Sequence, residues 1–108
     1  MTRRDASYQN QTLTHADVEA TAGPVLLEFG TDWCGYCVDA RAPVDAWLGA
    51  HENVDHLRVE DGRGRPLGRT YGVKLWPTLV LLRDGHEIAR VVRPRTSRDL
   101  RLLDAALG

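Results

Sequence analysis

Cys34 and Cys37 stand three residues apart in the run Trp33-Cys34-Gly35-Tyr36-Cys37, and they are the only cysteines of the chain. If a helix begins at about Cys34, residues at i and i+3 share one of its faces. Their Cα atoms then fall within the roughly 4.4–6.8 Å that a disulfide spans, so the pair can close and reopen without moving the backbone. A thiol at a helix N-terminus meets unpaired backbone N–H groups and the positive end of the helix dipole, and both favour a thiolate. The thiolate is the nucleophilic form, and Cys-x-x-Cys motifs hold it at pKa values of roughly 3.5–7.5. The spacing predicts Cys34 as the attacking thiol and Cys37, one turn further in, as the thiol that resolves the mixed disulfide.

A chain of 108 residues, 43% hydrophobic and 27% charged with a net charge of −1, reads as one soluble domain around one core. Residues 1–12 read as a polar N-terminal arm and 13–108 as a single domain. Two neighbouring cysteines are too few for a disulfide scaffold, which points them to chemistry. The longest apolar run, Thr78 to Leu82, is strand-sized and far short of the ~20 residues of a membrane span. Met1 to Thr12 lacks the 7–15-residue apolar stretch of a secretory signal, so the expected location is the cytoplasm, away from membranes. The first 61 residues hold eleven acids against four bases, and the last 47 hold four acids against ten bases. Such asymmetry marks a partner-binding face if the halves stay apart in space.

The elements around the cysteines follow from patterning. Thr14 with Asp17 reads as a capped short helix ending at Gly23-Pro24. Val25 to Phe29 is nearly all apolar, as in a strand buried on both faces. The turn Gly30-Thr31-Asp32-Trp33 leads to a helix from about Cys34 to Leu48, kinked by Pro43. His56 to Glu60 alternates as a second strand, Pro66 to Tyr71 forms a short helix, and Thr78 to Leu82 and Glu87 to Val92 form a hairpin turned at Asp84-Gly85. Thr96 with Asp99 caps a last helix with Leu100, Leu103 and Leu107 on one stripe. The order is that of an α/β domain with parallel crossovers first and a hairpin last.

With these elements in order, the chain resembles the thioredoxin superfamily. The resemblance rests on Trp33-Cys34-Gly35-Tyr36-Cys37 after a buried strand, on Pro43 in the next helix, on Trp76-Pro77-Thr78 opening a strand, and on the Asp84-Gly85 hairpin. It covers residues 14 to 107. It implies a thioredoxin fold: a central mixed β-sheet flanked by helices, with a C-terminal β-hairpin and helix, and Pro77 in the cis form beside the cysteines. It also implies a monomeric oxidoreductase that reduces protein disulfides, takes electrons from an external donor and needs no further cofactor, metal or nucleic acid. The backbone of Trp76 would pair with an extended substrate segment, with Trp33, Gly35, Tyr36 and Arg93 in the surrounding contact surface. Glu28, the one charged residue in its strand, stands where thioredoxins carry a buried acid. Low dielectric would raise its pKa and suit it to take a proton from Cys37, while the plain alternative is a strand residue facing water.

Several positions depart from the family pattern. Gly30 stands where thioredoxins often have tryptophan, and Arg93-Pro94-Arg95 fills a loop where they place a glycine that admits apolar partners. A basic docking face for an acidic partner follows, and with it a second reading, a thioredoxin-fold binding module with little redox turnover. Cys34-x2-Cys37-x13-His51-x4-His56 also fits zinc-finger spacing. Its cysteines follow a strand instead of lying on a hairpin, and Pro43 and Gly49 interrupt the helix, so His51 and His56 are expected at the surface.

Overall fold

Val25, Leu26, Leu27 and Phe29 leave their strand no face to turn to water, and they form β1 (Pro24–Gly30), which has a neighbour on each side. The computed structural model describes residues 2–10 and 12–108. The elements run α1 (His15–Glu19), β1, α2 (Gly35–Ala50), β2 (Asp55–Glu60), α3 (Pro66–Thr70), β3 (Thr78–Arg83), β4 (His86–Val92), a 3-10 turn (Ser97–Leu100) and α4 (Arg101–Leu107). The sheet order is β2-β1-β3-β4, with β1 and β2 parallel and the other pairs antiparallel. This is the expected mixed sheet. Both expected capping boxes are present, Thr14 with Asp17 and Thr96 with Asp99.

Alternation along the strands divides the core between two faces. Leu26, Leu79 and Leu81 pack with Ala40, Val44, Trp47 and Leu48 of α2 and with Leu100 and Leu103 at the C-terminal end. Val25, Leu27, Phe29, Val80 and Leu82 pack on the other face with Val18 and Leu67. Period two sets Glu28 on the α2 face with Leu26, so it is a core residue with no route to solvent, 0% exposed. The same period and the pairing Leu26 with His56 and Glu28 with Arg58 bring His56 and Arg58 to that face.

The arm lies along the outer edge of β2. Arg4 bridges His56 and Gln9 bridges Val59, both in parallel sense. His56 N–H donates to Arg3 O at 2.7 Å and Glu60 N–H to Gln9 O at 2.8 Å, so the arm satisfies backbone groups that an edge strand would expose. Met1 and Gln11 of the expected arm lie outside the described residues.

The turn between β3 and β4 depends on Gly85, whose φ is +81°. A Cβ there would also run into the backbone carbonyl of Glu19, which has no side-chain freedom with which to yield. Gly85→Ala is expected to destabilise the protein by about 2 kcal/mol or more, combining left-handed strain with overpacking. Urea unfolding measures it, and an unchanged midpoint would contradict this description of the turn.

Candidate active site

The turn after β1 delivers the chain to α2 with Cys34 as its N-cap residue, in extended backbone (φ −78°, ψ 124°), and with Gly35 as the first helical position. Cys34 and Cys37 are both free thiols. They differ in access, since Cys34 is 9% exposed and Cys37 only 1%. Burial pushes the Cys37 thiol up to about 11. The Thr31 backbone and the Tyr8 hydroxyl oppose that rise, and Cys34 adds to it. At neutral pH Cys37 is therefore a neutral thiol that must lose a proton before it can attack.

Around the thiols lies an aromatic rim. Trp33 is 78% exposed and Tyr36 is 50% exposed. Trp76 meets Trp33 edge to face at 5.7 Å, and its indole N–H donates to Asp61 Oδ2 at 2.8 Å. The Trp76-Pro77 peptide bond is cis. Arg93 sits in the left-handed region at φ +54°, the conformation that favours glycine. Its guanidinium lies 3.8 Å over the Tyr36 ring and its Nε donates to Trp76 O at 2.7 Å. The structure thus brings Trp33, Cys34, Gly35, Tyr36, Cys37, Trp76, Pro77 and Arg93 to one end of the domain.

Glu28 lies beneath this surface in a polar network. His56 Nε2 is 2.9 Å from its Oε1, Arg58 Nε is 3.5 Å from the same oxygen, and the Tyr8 hydroxyl donates to its Oε2. The expected rise in its pKa is corrected here. Burial does raise the carboxyl, but the His56 ring, the Arg58 guanidinium and the Tyr8 hydroxyl outweigh it and hold the group below its ordinary value. An ionised carboxylate can only accept, so His56 Nε2 is the protonated ring nitrogen. A carboxyl whose folded pKa lies below the unfolded ~4.3 contributes stability that is present above that pH and lost as pH falls through the folded value. Acidification from pH 6 to pH 3 should therefore lower the urea midpoint of the wild type more than that of Glu28→Gln. Equal losses would contradict the ionised state of Glu28.

The expectation of a surface His56 is likewise corrected: it is 1% exposed, covered by α2 on its face and by the arm at its edge. His51 is committed elsewhere, with Nε2 3.1 Å from Asp104 and Nδ1 2.7 Å from Trp47 O. The zinc-finger spacing thus places its two histidines with separate partners. Trp47 packs in the core and stacks on His51 at 4.1 Å. Sequence reading missed Tyr8, His56, Arg58 and Asp61 as neighbours of the site. A buried acid in β1 requires partners, and the alternation of His56 and Arg58 with Leu57 and Val59 was the available signal for two of them.

A family model described as Thioredoxin matches residues 6–103. The chain belongs to the thioredoxin family. Among solved structures, thioredoxin 2 from Pseudomonas aeruginosa PAO1 in its reduced form is 44% identical, with a TM-score of 0.86 and 97% of this chain and 98% of that chain covered. Among curated thioredoxins, that of Chlamydia pneumoniae is 36% identical over 74 residues, covering 66% of this chain and 70% of that protein. Thioredoxin-2 of Pyricularia oryzae is 29% identical over 63% of this chain, and the match spans only 40% of that longer protein. Thioredoxin membership and the Cys-x-x-Cys pair together support thiol-disulfide oxidoreductase chemistry. Among the described residues, no helix of this thioredoxin is long and apolar enough to cross a membrane.

Proposed function

We propose that this thioredoxin reduces protein disulfides in the cytoplasm as a monomer, recharged by an external dithiol or reductase donor. The observation that carries the reading is the gathering of both free thiols into one cluster with Tyr8, and with Trp76 against it, at the first turn of α2. Cys34, the more accessible thiol, attacks the target disulfide and releases one target thiolate. Cys37 then attacks Cys34 Sγ, forms the Cys34-Cys37 disulfide and releases the second target thiolate, while its proton passes toward Glu28. Two electrons move from the pair to the target. Trp76-Pro77 holds the target backbone, and Trp33, Gly35 and Tyr36 supply a contact surface around it. The test is turbidimetric reduction of insulin with dithiothreitol as donor, for which we expect acceleration by the wild type. No acceleration over dithiothreitol alone would sink the reading.

Arg93 would tune target choice by placing a positive charge beside the thiols. The left-handed backbone accepts Arg93→Gly, which removes the charge without new strain. At low salt that variant should raise KM about fivefold for a disulfide peptide with acidic flanks, roughly 1 kcal/mol, and lower it for one with basic flanks. Equal effects on both peptides would show that Arg93 does not select by charge.

A further inference from the structure

We propose that Tyr8, carried in by the N-terminal arm, is the relay through which Cys37 loses its proton to Glu28 as the mixed disulfide resolves. The proposal rests on the oxidoreductase reading above and supplies its proton path. Tyr8 is 6% exposed and clusters with Cys34 and Cys37. Its hydroxyl donates to Glu28 Oε2, and the ring packs in one cluster with Cys37. Glu28 commits Oε1 to His56 and leaves Oε2 to hold the phenol.

Gly30 explains how thiol and phenol come together. A Cβ at that position would lie 2.5 Å from Cys37 Sγ and 2.9 Å from Tyr8 Oη, so any larger residue there would push into the space these two groups share. The departure at Gly30 is thus matched by an aromatic ring supplied from elsewhere in the chain. Backbone bonds fix that ring in place: Tyr8 N–H donates to Asp32 Oδ1 at 3.1 Å and Gln9 N–H to Arg58 O at 2.9 Å. The titratable and charged groups around the relay are Cys34 at the N-cap of α2, Cys37 within α2, Asp32 of the turn before it and Glu28 of β1, with His56 and Arg58 of β2 bonded to the carboxylate.

In the step itself, Cys37 S–H passes its proton to the phenol oxygen while the phenol O–H proton moves to Glu28 Oε2. The resulting thiolate attacks Cys34 Sγ, the Cys34-Cys37 bond forms, and the bond from Cys34 to the target sulfur breaks. The target leaves as a thiolate, Glu28 gives up the proton it received and is again a carboxylate, and the net proton passes through solvent to the departing thiolate. Burial and the neighbouring Glu28 carboxylate keep the phenol protonated, so Tyr8 works by exchanging one proton for another and never stands as a phenolate.

The two steps can be read separately with 5,5′-dithiobis(2-nitrobenzoate), because attack by Cys34 releases one coloured thiolate and resolution by Cys37 releases the second. Tyr8→Phe should leave the first phase within about twofold of wild type and slow the second about tenfold or more at pH 7. The gap should close as pH rises toward the Cys37 value of about 11, where hydroxide replaces the relay. A second phase slowed less than threefold, or slowed equally at every pH as by misplacement of Cys37, overturns the relay. If Tyr8→Phe does not fold, 3-fluorotyrosine at position 8 keeps the ring and makes the phenol more acidic. It should shift the pH dependence of the second phase, and an unshifted profile overturns the proposal. Failure of the relay leaves wild-type insulin reduction intact, whereas failure of the oxidoreductase reading abolishes it.

Discussion

Cys34→Ser should lower insulin reduction by about a thousandfold or more, to the rate of the dithiol donor alone. A serine hydroxyl is not ionised at neutral pH and does not attack a disulfide sulfur, so the first step has no replacement from residue 34 itself. Cys37 cannot take over. It is 1% exposed, and with its thiol pushed up to about 11 it is protonated at pH 7. Cys37→Ser should behave differently: attack survives, turnover is lost, and the protein accumulates as a mixed disulfide. Retention of more than a tenth of wild-type turnover by Cys34→Ser would mean that the assignment of the two thiols is reversed or wrong.

The largest stability effect is expected at Glu28. Replacing it with leucine removes the one anion that Tyr8, His56 and Arg58 share, and all three are buried, between 1% and 6% exposed. Removing one partner of a buried charge network costs about 3–5 kcal/mol, because the remaining groups stay desolvated without compensation. For a domain of this size that lowers Tm by roughly 12 °C or more. Differential scanning calorimetry at pH 7 measures it. A Tm within a few degrees of wild type would show that the network carries little stability and that Glu28 is not held as its centre.

The elements that position the thiols were legible because their signals are local. An apolar run set β1, two capping boxes set the starts of α1 and the C-terminal turn, and Asp84-Gly85 set the hairpin. Cys34 and Cys37 could be read as a pair because i and i+3 fall together on any helix that starts there. The proton path was not legible, because it joins residues 8, 28, 37, 56 and 58 through pairings that no local pattern fixes. Tyr8 stands in a stretch whose polar composition reads as solvated, and only its packing along β2 turns the ring inward. Glu28 shows the same limit in another form. Its strand position predicted burial, and burial alone predicts a raised pKa. The sign reverses only because β2 is parallel to β1 in the register that sets His56 and Arg58 beside it.

Mass spectrometry of Cys37→Ser incubated with insulin at pH 7 tests the central claim most directly. The expected result is a covalent adduct joining one insulin chain to Cys34 through a disulfide, released by dithiothreitol and missing when Cys34 is also replaced. A Cys37→Ser protein that forms no adduct, with wild type leaving insulin disulfides intact, would contradict it.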